Sequence, residues 1–196
     1  MRSILFRIDA DEYGTFVTPD QEREEKGFNV PVTNLAHNAM ARAIGVEFHQ
    51  IAMYVPDRES SVSGMIGLGF TEWSYDSADL EGTYLDEPCT IRGNMAFNYQ
   101  FLPGKELEFI SYDGHPDGLR YGGMGTFISH ISSYVEDVDK SVEVVHAITK
   151  MTPYHRFTTR NHDNERIAGK KHFREAIFDT RARFGFNLKL IEKVVE

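Results

Sequence analysis

The chain repeats itself once at a spacing of 80 to 81 residues, and this restricts its possible folds more than any other feature. Gly104-Lys105-Glu106-Leu107-Glu108-Phe109-Ile110 lies over Gly185-Phe186-Asn187-Leu188-Lys189-Leu190-Ile191 at a constant offset of 81. Tyr54-Val55-x-Asp57 lies over Tyr134-Val135-x-Asp137 at an offset of 80. A self-similarity of that length marks one supersecondary unit used twice.

The pattern inside each copy predicts strand, helix, strand, strand, strand. In the first copy, VEFHQIAMYVPD (46–57) alternates like a half-buried strand. PDRESSVSGMIGLGF (56–70) follows as a helix, with Asp57 as N-cap and Gly67 or Gly69 as the stop. TEWSYDS, GNMAFNYQFLPG and KELEFISYDG supply the remaining strands. The second copy runs TFISHISSYVED as a strand, then VDKSVEVVHAITK as a helix capped by Asp137 or Asp139. TPYHRFTTR, HFREAIFDTRARF and GFNLKLIEKVVE read as its last three strands.

The domain reading is a first βαβββ module over 46–114, a Gly- and Asp-rich linker over 115–125, and a second module over 126–196. Residues 1–45 form an N-terminal extension of a short strand in SILFRI and an amphipathic helix in TNLAHNAMARAIG. The fold class is α+β: two tandem βαβββ modules forming a curved sheet around a cleft.

Composition narrows the function. A formal net charge of −9 argues against nucleic acid or an anionic membrane as the main partner. No segment approaches the roughly 20 apolar residues of a membrane span. One cysteine, Cys89, rules out an intrachain disulfide, and no N-x-Ser/Thr sequon is present. Both point to a reduced, cytoplasmic setting. The charge says little about a small-molecule site and leaves room for a homodimer.

FHQIAMYVPD and ISHISSYVED as first strands, GLGF after the first helix, and LPGKELEFISY and GFNLKLIEK as last strands together resemble the vicinal oxygen chelate superfamily. That superfamily includes glyoxalase I, methylmalonyl-CoA epimerase, extradiol dioxygenases and bleomycin-resistance proteins. The resemblance covers residues 46–196. It implies a divalent metal (Fe, Mn, Zn or Ni) held by side chains from the first and fourth strands of each module. It also implies chemistry on a small substrate with two vicinal oxygens, as in a ring-cleaving dioxygenase, a lyase or an isomerase.

Carried over by position, the metal candidates are His130, Glu108 and either His49 or Gln50. His130 lies five residues before Val135, and Gln50 lies five before Val55. The 81-residue offset instead pairs His49 with His130. A one-residue slip reverses every side chain of a strand, so a bulge decides between them. The fourth position is Lys189, whose ammonium has no lone pair for a metal. Either three ligands survive, or Lys189 replaces the metal and pairs with Glu108.

Tyr112 and His115 are acid–base candidates. Asn98, Gln100, Tyr134 and Lys189 are candidates to line the pocket. Arg181 and Arg183 could fork onto a substrate carboxylate or phosphate. NHDNER (161–166) reads as a solvated turn. The alternative function is a metal-free small-molecule binding protein of the bleomycin-resistance kind.

Overall fold

The computed structural model describes residues 7–8, 16–17, 48–113, 125–168 and 171–195. The helix expected in 33–45, most of the 115–125 linker and His115 lie outside the described residues. The extension contributes two short antiparallel strands, β1 (Arg7–Ile8) and β2 (Phe16–Val17).

The remaining elements follow one order twice. The first set is β3 (Gln50–Tyr54), α1 (Arg58–Gly67), β4 (Trp73–Tyr84), β5 (Glu87–Asn98) and β6 (Glu106–Asp113). The second set is β7 (Phe127–Val135), α2 (Val138–Thr149), β8 (His155–Arg160), β9 (Lys171–Phe178) and β10 (Asn187–Val195), with a short α3 (Arg181–Phe184) between its last two strands. Each longer helix starts where an aspartate can accept from the first exposed backbone donors. Asp57 accepts from Ser60 N at 2.9 Å and Asp137 from Lys140 N at 3.0 Å.

The eight strands close into a barrel in the order β10-β7-β3-β6-β5-β4-β8-β9. The expected cleft therefore corresponds to the interior of that barrel. The pairs β3–β6 and β7–β10 are parallel and the others are antiparallel. The helices cover the outside. Val62 of α1 packs with Val55, Ala96, Leu107 and Phe109, while Val138, Val142 and Val145 of α2 pack with Ala176, Phe178 and Leu190. Strand alternation then turns the intervening residues of the same strands inward, and many of these are polar.

Two local expectations are corrected. The strands of the first hairpin are longer than their sequence pattern suggests. Leu85 and Asp86 form its two-residue turn at φ 49° and 67°, without the Asn-Gly signal such a turn normally carries. The segment DTRARF is not strand. Its chain leaves β9 at Thr180, whose hydroxyl donates to Phe186 O and accepts from Leu188 N, and α3 ends on Gly185 at φ 81°.

Candidate functional site

Strand register explains how the site forms. Ala52 faces Glu108 across β3–β6 and His130 across β3–β7. Its methyl group leaves space between two longer side chains that converge over it. Glu108 Oε2 and His130 Nε2 lie 3.3 Å apart, both side chains almost wholly buried, and neither atom has a hydrogen-bond partner. A bulge in β7 carries the register from His130 to Ile128 opposite Ala52 and Met53, skipping Ser129. Ser129 Oγ contacts His130 Nδ1 at 3.1 Å.

Burial pushes the Glu108 carboxyl up, opposed in part by the Lys189 ammonium. Burial, then Lys189 and Arg181, hold His130 well below the ordinary imidazole range. Both shifts run the same way, against a charge on either member of the pair.

Of His49 and Gln50, it is Gln50 that lines the barrel interior. Its side chain is buried, accepts from Ser132 Oγ at 2.8 Å and donates to Glu106 Oε1. Glu106 Oε2 accepts from the Tyr99 hydroxyl at 2.5 Å. Burial raises Glu106, and burial followed by Glu106 holds Tyr99 above the usual phenol range. His49 packs its ring 5.1 Å from that of Tyr134, and Tyr134 N donates to His49 Nδ1 at 3.4 Å.

Lys189 occupies the position on β10 that Glu108 occupies on β6: Ser132 pairs with Lys189 as Ala52 pairs with Glu108. Its ammonium does not pair with Glu108. It makes a buried ion pair with Glu175 of β9 at 2.5 Å. Burial alone would pull Lys189 down, but Glu175, Glu108 and Glu106 together raise it, so it stays charged. Burial pushes Glu175 up against the pull of Lys189.

Several of these groups, though not His130 or His49, border a cavity of about 170 Å³. Glu106, Glu108, Glu175 and Lys189 line it, with Tyr99, Tyr112 and Tyr134. Tyr112 stacks 6.4 Å from Tyr54, and burial and nearby glutamates hold Tyr134 above the usual phenol range. Asn98 is buried but serves a turn, accepting from Gln100 N and Phe101 N and donating to Glu72 O. Gln100 accepts from Glu72 N. Neither borders the cavity. Arg181 donates to Ser129 O at 3.0 Å and lies 4.5 Å from the Phe127 ring centre. The Arg183 side chain lies outside the described residues.

Sequence reasoning missed three residues. Glu175 had a usable signal, because a lysine on the inner face of β10 needs a carboxylate on the adjacent strand. Asp76 and His162 had none. His162, expected in a solvated turn, has a side chain only 4% exposed and lines the cavity, with Nδ1 2.6 Å from Asp76 Oδ2.

The side chains present do not fit a resident divalent metal. Glu108 and His130 offer two free donors at a separation one ion could bridge with bonds of roughly 2.0–2.2 Å. The other two positions fail. The Gln50 amide is engaged at both ends, and Lys189 brings a positive charge to the fourth. Among the described residues, no group of three or more His, Cys, Asp or Glu is arranged to hold an ion.

No protein-family model matches the chain, and no curated protein does. Solved structures similar to it include a hypothetical protein from Bacillus halodurans C-125 (TM-score 0.49, 14% identity, covering 76% of this chain and 96% of that one). Methylmalonyl-CoA epimerase from Mycobacterium tuberculosis is also similar (TM-score 0.46, 14% identity, 74% and 86% covered). So is a triple mutant of 4-hydroxymandelate synthase from Streptomyces coelicolor (TM-score 0.46, 13% identity, 76% and 48% covered). Likenesses this distant transfer neither an activity nor a site. The fold and site define an α+β protein with a closed eight-stranded barrel around a cavity lined by both charged and apolar side chains. No helix among the described residues is long and apolar enough to cross a membrane.

Proposed function

We propose that the barrel interior binds a small, uncharged, oxygenated molecule, such as a hydroxy-carbonyl compound or a vicinal diol, without a metal ion. The observation that carries this reading is the Lys189–Glu175 ion pair, which puts an ammonium where a fourth metal ligand would be needed. Hydroxyl groups would donate to the Glu108 and Glu175 carboxyls, and a carbonyl oxygen would accept from Lys189. Carboxyl groups outnumber ammonium groups around the cavity, which disfavours an anion. A volume near 170 Å³ falls below the roughly 300–1,000 Å³ of drug-sized pockets, so the occupant is small.

The chain is read here as two βαβββ modules of the vicinal oxygen chelate kind, in its metal-free, binding-protein form. The two offsets and the matched registers of Ala52–Glu108 and Ser132–Lys189 support this. A second reading, a metal-dependent enzyme of the same superfamily, rests on the two unpartnered atoms of Glu108 and His130.

Saturation-transfer NMR with dihydroxyacetone as the probe separates the two. The first reading expects binding that chelator leaves unchanged and that Lys189→Met weakens about tenfold or more, the loss of one charged hydrogen bond. Binding that appears only after Zn, Mn or Fe is added supports the second reading and overturns the first.

A further inference from the structure

We propose that Asp76 and His162 form an acid–base dyad serving the barrel cavity, in which His162 Nε2 takes a proton from the bound molecule and returns it. The proposal rests on the pocket reading above and adds an activity to it.

The segment NHDN (161–164) has the composition of a solvated loop, yet every residue in it is fastened to the first half of the barrel. Asn161 Nδ2 donates to Asp79 Oδ2 at 2.7 Å, and Asp163 N donates to Ser77 O at 2.9 Å. Asn164 N donates to Asp76 Oδ1 at 3.1 Å, and its side-chain amide donates to Tyr75 O at 3.1 Å. Arg92 adds ion pairs to Asp79 at 2.9 Å and Asp163 at 2.5 Å. This clamp holds His162 between β4 and the cavity, with the Phe173 ring edge-on at 6.0 Å.

The two imidazole nitrogens are in different positions. Nδ1 lies 2.6 Å from Asp76 Oδ2, and both side chains are more than nine-tenths buried. An ionised carboxylate can only accept, so a neutral ring must carry its proton on Nδ1 and keep a lone pair on Nε2. Nε2 is buried and has no hydrogen-bond partner, and both residues line the cavity. A buried polar atom is normally paired. Here the missing partner would be supplied by whatever occupies the cavity.

For a hydroxy-carbonyl occupant, the step balances without an oxidant or reductant. The C–H bond next to the carbonyl breaks and its proton forms the Nε2–H bond. The electron pair moves into the carbon–carbon bond, leaving the charge on the former carbonyl oxygen. Reprotonation at carbon restores the starting molecule. Asp76 is a positioning residue: it fixes the tautomer and steadies the imidazolium.

The experiment uses the full chain in D2O with dihydroxyacetone. Proton NMR follows deuterium entering the probe, saturation transfer follows its binding, and nitrogen-15 NMR of labelled histidine reports the His162 tautomer. The wild type is expected to show an Nδ1-protonated His162 and to exchange the probe's C–H about tenfold or more above the buffer rate. His162→Gln should keep binding and lose the exchange. Asp76→Asn should shift the His162 proton toward Nε2 and slow exchange with binding retained. Exchange undiminished in His162→Gln, or binding by wild type without exchange, overturns the dyad. If the probe fails to bind, the pocket reading fails and the tautomer alone decides the dyad. An Nε2-protonated ring in the wild type overturns it, and an Nδ1-protonated ring that Asp76→Asn reverses upholds it.

Discussion

Glu108 Oε2 and His130 Nε2 meet at 3.3 Å above Ala52 with no hydrogen bond to any other group. The two residues come from β6 and β7, the two neighbours of β3 in the sheet.

Their opposite proton affinities make stability depend on pH in opposite ways. Glu108 is raised above the ordinary 4.5, so its contribution is fully present below that value and is lost as pH rises through the raised one. His130 is lowered below the ordinary 6.5, so its contribution is present above that value and is lost as pH falls toward the depressed one. Glu108→Gln should therefore gain stability relative to wild type as pH rises, by about 1.4 kcal/mol for each unit of upward shift. His130→Asn should gain relative to wild type as pH falls below 6.5. Thermal unfolding of the three proteins across pH checks this. Differences that do not vary with pH would contradict it.

Breaking the Lys189–Glu175 pair on one side leaves a buried charge without its partner. Lys189→Met should destabilise by about 3–5 kcal/mol, the usual cost of half a buried ion pair. The double variant Lys189→Met/Glu175→Gln should recover most of that loss. Urea denaturation measures both. A double variant no more stable than the single one would mean that Lys189 supports the fold in some other way.

The seam between β4 and β8 depends on a glycine. A Cβ on Gly82 would lie 1.9 Å from Arg156 O and 2.6 Å from Phe157 Cα, both backbone atoms, so the strands would have to separate. Gly82→Ala should cost at least about 1–3 kcal/mol. Gly64, exposed on α1, has nothing within 4 Å of the same position, and Gly64→Ala should stabilise by about 0.5–1 kcal/mol. Measuring the two alanine variants side by side in urea tests the contrast.

Part of the fold was legible because residue alternation marked the strands along the chain and because Asp57 and Asp137 announced two helix starts. The hairpin turn at Leu85–Asp86 was illegible, since its positive φ angles are held by the paired strands and not by turn-forming residues. Local alternation made the burial of Glu108 and His130 on their strands legible. The choice between His49 and Gln50 needed the inter-strand register, which places Gln50 opposite Ser132 and Glu106. Asp76 and His162 stand 86 positions apart, and no local pattern joins them.

Metal content tests the central claim, that the barrel takes up no metal while Lys189 is in place, most directly. The protein is purified, loaded separately with Zn, Mn and Fe, desalted and measured by elemental analysis, together with Lys189→Glu, Glu108→Ala and His130→Ala. The account predicts no stoichiometric metal in the wild type and a gain of metal in Lys189→Glu, where Glu108, His130 and a new carboxylate make three donors. Near-stoichiometric metal in the wild type, lost in both Glu108→Ala and His130→Ala, would contradict it.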